Sequence, residues 1–204
     1  MKYIDKEAHE RRLNVRHFRI AYTVDRLRQF RAENNRLGQV VFLGDSITEN
    51  FDLGAYGISA INRGISGDVT EGVLDRIDEV LELEPSKVFL LIGTNDLGYE
   101  YLEADEVIGN IEKIIIALDG IPLFIQSVYP IIENMPFTDA YSNEIVCEVN
   151  EGIKSLCDKY GLIYIDTARV LLDGKHLNSE FTDDGVHIND RAYKLIAEVI
   201  KDYL

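Results

Sequence analysis

Two stretches of the chain are apolar at every position, and the rest of the pattern is arranged around them. Val40-Val41-Phe42-Leu43 runs into Gly44-Asp45-Ser46, and Val88-Phe89-Leu90-Leu91-Ile92 runs into Gly93-Thr94-Asn95-Asp96. A short, β-rich, continuously apolar run predicts a strand covered on both faces, as in a parallel sheet. Pro122-Leu123-Phe124-Ile125-Gln126 and Leu162-Ile163-Tyr164-Ile165 predict two more strands, and a weaker one is expected at about 57–62.

Between the strands the period changes to that of a helix. Val69, Val73, Ile77, Val80 and Leu81 predict one helix closed by Pro85, and Val107, Ile108, Ile111, Ile114, Ile115 and Leu118 predict a second over 103–119, with Gly120 at its C-terminal cap. Ile145, Val149, Ile153, Leu156 and Tyr160 mark a third, ended by Gly161. Asn189 caps a last helix that buries Ala192, Leu195, Ile196 and Val199. Residues 5–33 are charged and helical in character; Ile20, Val24 and Leu27, with Phe18, Ala21 and Phe30 nearby, are expected to form the buried stripe. Residues 129–142 have no period and read as a loop, and 173–188 are polar.

Strands alternating with helices imply a three-layer α/β/α domain on a parallel sheet. The expected division is an N-terminal helical extension, 1–38, packed on a domain of 39–204. That extension could cover a sheet edge or serve a partner subunit, so a homodimer remains open. In open α/β sheets the ligand site lies beyond the carboxyl ends of the strands. Here those ends carry Gly-Asp-Ser and Gly-Thr-Asn-Asp.

Charge and cysteine content narrow the function classes. Thirty-six acidic against 21 basic residues give a formal net charge of −15. Such a surface repels phosphate backbones and anionic lipid, so neither a nucleic-acid partner nor stable membrane association is expected. Cys147 and Cys157 fall on one expected helix, about 15 Å apart along its axis, too far to bridge. Met1 to Glu7 is polar, and no Cys/His cluster has metal-ligand spacing. These features set the expectation of a reduced, cytoplasmic protein with no metal.

A serine hydroxyl becomes a useful nucleophile only beside a base, and the base works best when a carboxylate orients it. Ser46 follows the first strong strand. Of four histidines, His9 and His17 lie in the charged N-terminal segment. His176 and His187 each follow an aspartate by three positions, in Asp173-Gly174-Lys175-His176 and Asp184-Gly185-Val186-His187. Spacing does not choose between them. Position favours the second pair, which immediately precedes the last helix. An acyl-transfer site also needs donors for an oxyanion; Gly64, after the second strand, and Asn95, after the third, are the candidates.

Serine, glycine, asparagine and Asp-x-x-His in this order resemble the SGNH hydrolases, the GDSL esterase/lipase superfamily. The matching blocks are Gly44-Asp45-Ser46, Gly64, Gly93-Thr94-Asn95-Asp96 and Asp184-Gly185-Val186-His187, spanning about 40–200. Residues 62–67, Asn-Arg-Gly-Ile-Ser-Gly, and 90–96, Leu-Leu-Ile-Gly-Thr-Asn-Asp, look most like the platelet-activating-factor acetylhydrolase-like branch. Ile47 departs from the leucine of the name motif. The resemblance implies a flavodoxin-like sheet of five parallel strands in the order 2-1-3-4-5. It also implies Ser46 as nucleophile, His187 as base and Asp184 as its orienting carboxylate. Ser46 N–H, Gly64 N–H and the Asn95 side chain would form the oxyanion hole, without cofactor or metal. The expected activity is serine esterase, on short acyl esters of a small polar alcohol or carbohydrate. A thioesterase or lysophospholipase of the same fold, and a non-catalytic binding subunit, are the alternatives.

Overall fold

The computed structural model describes residues 6–33, 36–100, 102–135, 138 and 141–204, with side chains from residue 19 onward. Five parallel strands, β1 (Val40–Gly44), β2 (Ile61–Gly64), β3 (Lys87–Leu91), β4 (Leu123–Gln126) and β5 (Ile163–Ile165), lie in the order 2-1-3-4-5. The helices are α1 (Lys6–Glu33), α2 (Ser46–Glu49), α3 (Thr70–Asp75), α4 (Ile77–Leu81), α5 (Thr94–Gly98), α6 (Ala104–Ala117), α7 (Asn143–Tyr160) and α8 (Asp190–Lys201). A short antiparallel hairpin pairs β6 (Leu172–Asp173) with β7 (His176–Leu177). No helix among the described residues is long and apolar enough to cross a membrane.

Period-two alternation inside the apolar strands explains why they are covered twice. Val41, Leu43, Val88, Leu90, Leu123 and Ile125 face α3, α4, α6 and α7. Phe42, Phe89, Leu91, Phe124 and Ile165 face α2 and α8. On that second face Phe42, Phe89 and Phe124 sit in register on adjacent strands and stack, with centroids 4.7 and 4.9 Å apart. Offset aromatic stacking adds to the burial term, and the ladder fixes the relative register of β1, β3 and β4. As expected from its cap, Asn189 accepts the N–H groups of Arg191 and Ala192 to start α8.

Three expectations are corrected. The second strand is 61–64 rather than 57–62, because pairing with β1 selects it: Val41 lies opposite Ile61 and Gly44 opposite Gly64. The helix drawn through Val69 to Leu81 is two helices. Arg76 leaves helical geometry between them, with its guanidinium drawn inward to Asp68 and to the carbonyl of Gly44. The expected buried stripe of α1 holds only at its C-terminal end, at buried Phe30 and half-buried Leu27. Ile20 and Val24 are 54% and 44% exposed and Ala21 is exposed, whereas Phe30 is buried between the guanidinium groups of Arg26 and Arg63. Phe18 lies outside the described side chains. The face of α1 turned to the domain carries Arg19, Tyr22, Arg26 and Phe30, because the surface it meets offers carboxylates.

Candidate active site

β1 delivers Ser46 as the first residue of α2. Asp45 caps that helix, its Oδ1 accepting the Ile47 N–H at 2.9 Å, and the Tyr193 hydroxyl of α8 donates to the Ile47 carbonyl at 2.8 Å. Both polar groups of the Ile47 backbone, next to the serine, are thereby fixed. Ser46 is 8% exposed, so its hydroxyl is nearly buried.

The histidine comes from the loop before α8. Ser46 Oγ lies 3.0 Å from His187 Nε2, and His187 Nδ1 lies 2.6 Å from Asp184 Oδ2. A carboxylate only accepts, so Nδ1 carries the proton and the Nε2 lone pair faces the serine. The loop makes this arrangement by local bonding. Asp184 Oδ1 accepts the N–H groups of Val186 and His187 at 2.9 and 2.8 Å, and Thr182 Oγ1 accepts that of Gly185 at 2.9 Å. Partial burial pushes the Asp184 carboxyl up, but the bonds from the His187 ring and the Val186 and His187 amides outweigh it. The net result is a carboxyl held below its usual range. His176, by contrast, sits in the hairpin, its Nδ1 3.0 Å from Asn143 Nδ2.

Of the expected oxyanion donors, Asn95 is 5% exposed in the first turn of α5. One hydrogen of its amide goes to the Asp68 carbonyl at 2.9 Å, leaving the other. Gly64 is a different matter. Its N–H already donates to Asn62 Oδ1 at 2.8 Å, so the expectation that it supplies a free donor is not met. Gly64 is glycine for space: a Cβ there would stand 2.1 Å from the backbone nitrogen of Glu49. Three residues on, Gly67 has φ +77° and an N–H without a partner among the described residues. Its neighbour Asp68 is the residue whose carbonyl Asn95 holds. Two glycines three apart look alike in sequence; only the turn at Gly67 separates them.

Beneath the site lies a buried polar layer that sequence inspection missed. Asp68 Oδ2 accepts Arg76 Nε at 2.8 Å, and Arg76 Nη2 donates to the Gly44 carbonyl at 3.1 Å. Asp96 accepts both the N–H and the hydroxyl of Thr70, and that hydroxyl accepts Asn110 Nδ2 at 3.0 Å. These bonds tie the loops after β1, β2 and β3 to one another. Burial pushes Asp45 up to about 7, against the Ile47 N–H bond and helped by the charges of Asp68 and Asp96. It pushes Asp96 up to about 6 against the Thr70 bonds. A signal was present in the Asp68 and Asp96 that follow strand ends, but their burial depends on packing that no local pattern shows. No group of three or more His, Cys, Asp or Glu among the described residues is placed to hold a metal ion.

The fold and site thus define an α/β protein with a serine–histidine–aspartate chain at the carboxyl edge of its sheet. The model of the GDSL-like lipase/acylhydrolase family matches residues 42–195, and the chain belongs to that family of hydrolases. Its fold is shared with a Streptococcus pneumonia protein whose name refers to platelet activating factor (27% identity, TM-score 0.84, covering 94% of this chain and 96% of that one). It is also shared with a GDSL-like lipase from Bacteroides thetaiotaomicron (27% identity, TM-score 0.76, 87% and 96% covered). A lipase/acylhydrolase from Enterococcus faecalis, at 22% identity and TM-score 0.69 over 82% and 95%, shares the fold. No curated protein sequence matches the chain.

Proposed function

We propose that the protein is a serine esterase that removes short acyl groups, acetyl first, from a small polar alcohol or carbohydrate. The observation that carries this is the hydrogen-bonded chain from Ser46 Oγ to His187 Nε2 and from His187 Nδ1 to Asp184, at 3.0 and 2.6 Å. Ser46 Oγ attacks the ester carbonyl as its proton passes to His187 Nε2. The Ser46–carbon bond forms and the carbonyl electrons move to oxygen. Ser46 N–H, Gly67 N–H and the free Asn95 amide hydrogen receive that oxyanion; Gly67 takes the place expected of Gly64. On collapse the bond to the alcohol breaks and His187 protonates the leaving oxygen. Water then repeats the sequence on the acyl-enzyme, releasing the acid.

Short acyl groups are favoured because the apolar residues near the site are already used in packing. In the loop after β4, Ile131 is fully buried, and Ile132 and Met135 pack against Gly185 of the histidine loop. A long acyl chain would need an apolar groove gaining about 0.8 kcal/mol per methylene. Labelling by a fluorophosphonate, lost in Ser46→Ala, tests the nucleophile. Across p-nitrophenyl esters kcat/KM should peak at about two to four carbons, since each fitting methylene is worth at most about tenfold. A maximum at about eight carbons would replace this reading with that of a lysophospholipase-like enzyme.

A further inference from the structure

Helix α1 meets the domain with its polar side, although its apolar residues Ile20 and Val24 were available for the contact and are left 54% and 44% exposed. Cover for a sheet edge would be expected to turn the apolar stripe inward. The polar contacts converge on three segments. Tyr22 OH donates to Glu49 Oε1 at 2.5 Å, and Arg26 Nε lies 3.2 Å from the same oxygen. Glu49 closes α2, the helix that Ser46 opens. Its other oxygen, Oε2, accepts both the N–H and the hydroxyl of Ser66, at 2.5 and 2.6 Å. Ser66 immediately precedes Gly67, and Arg19 Cγ lies 3.9 Å from where a Gly67 Cβ would stand. Arg19 also pairs with Glu100 at 3.1 Å, and the Glu100 N–H bonds to the carbonyl of Asn95.

We infer that α1 positions the oxyanion hole, acting through Tyr22 and Glu49 on the Ser66–Gly67 turn and through Arg19 on the segment that carries Asn95. The inference rests on the esterase reading, with Ser46, Gly67 and Asn95 as the donors. Gly67 has a left-handed φ of +77° and an N–H that no other described group holds. The direction of that N–H therefore depends on what fixes the residue before it, and Ser66 is fixed twice by one carboxylate. Glu49 is in turn held by the Tyr22 hydroxyl through a hydrogen bond and faced by the Arg26 guanidinium as an ion pair, with side chains of Arg26 and Glu49 23% and 14% exposed. Part-buried, charge-assisted bonds of this kind restrict geometry more than exposed ones do. Tyr22, Glu49 and Arg19 are positioning residues: none is required to touch substrate.

Glu49→Gln and Tyr22→Phe in the full chain test this, assayed with p-nitrophenyl acetate and with phenylboronic acid, which forms a tetrahedral adduct on an active serine. A donor that is loosened but not deleted should cost part of the 10²–10³ of a lost donor, so kcat should fall about tenfold in Glu49→Gln and about threefold in Tyr22→Phe. KM should move less than about twofold, because the oxyanion exists only in the transition state, and boronate affinity should fall with kcat/KM. Arg28→Ala, an exposed pair with Asp25 on the same helix, should change neither. Should Glu49→Gln fail to fold, Tyr22→Phe, which removes only a hydroxyl, carries the test. Unchanged kcat in the folded variants overturns the inference. So does a rise in KM at constant kcat, or a fall in kcat with boronate affinity retained. Ser46→Ala is the control for the underlying reading: if it stays active, the esterase assignment fails whatever the α1 variants do.

Discussion

Asp173 and His176, like Asp184 and His187, are three positions apart, with a glycine directly after each aspartate. In the first pair the glycine turns a hairpin, and Asp173 and His176 end opposite one another on β6 and β7. Asn143 Nδ2 donates to His176 Nδ1 at 3.0 Å while also bonding the Ile131 carbonyl, so Nδ1 is an acceptor. In the second pair Asp184 folds back on the backbone of Val186 and His187 and takes the Nδ1 proton itself. One histidine presents a bare Nε2 to a serine; the other has its proton on Nε2 and no nucleophile bonded to it among the described residues. Spacing brings an aspartate within reach of a histidine, but the neighbours choose the tautomer, and the tautomer decides whether the ring can act as a base.

Replacing each histidine is the strongest way to break that contrast. His187→Ala should lower kcat by about 10⁴-fold or more, the usual cost of losing the base of a triad, whereas His176→Ala should keep kcat within about twofold. Equal losses in the two variants would mean that both pairs take part. Next in size is the carboxylate. Asp184→Asn no longer holds the proton on Nδ1 and should cost up to about 10⁴-fold in kcat. Asp173→Asn should leave the rate unchanged; a comparable loss there would erase the distinction.

Asn95→Ala probes the other half of the site and should lower kcat by about 10²-fold with KM little altered. A raised KM at constant kcat would make Asn95 a ground-state contact. The smallest effect concerns a third aspartate, Asp45, which adjoins the nucleophile yet serves stability. Burial raises its carboxyl from 3.8 to about 7. A carboxyl whose folded pKa is raised contributes stability present below the unfolded pKa and lost as pH rises through the folded one. Asp45→Asn keeps an oxygen for the Ile47 N–H and removes the titration. The Tm of the variant minus that of the wild type should therefore increase between about pH 4 and 7, by no more than the equivalent of about 4 kcal/mol. A difference that stays flat with pH would show that Asp45 is not ionising against its burial.

Much of this protein was legible before any coordinates. The apolar runs at 40–43 and 88–92 placed the two central strands, since a strand covered on both faces has no polar side to display. Asn189 and Gly161 marked helix ends through backbone groups that need a local partner whatever the fold. Ser46 and Asn95 followed from standing next to those strands. Other features depended on groups far apart in sequence. Tertiary pairing with β1 moved the second strand to 61–64. A carboxylate and a carbonyl drew Arg76 inward and split a helix that its own period would have continued. The carboxylates of Glu49 and Glu100 turned the polar side of α1 to the domain and left Ile20 in water. Gly64 has the backbone of α2 against it and its N–H on Asn62, whereas Gly67 turns with φ +77° and keeps its N–H without a partner among the described residues. Periodicity and capping are local and can be read along the chain, whereas the destination of a buried charge, or of one N–H, is decided by which partners the fold brings within 3 Å or so of it.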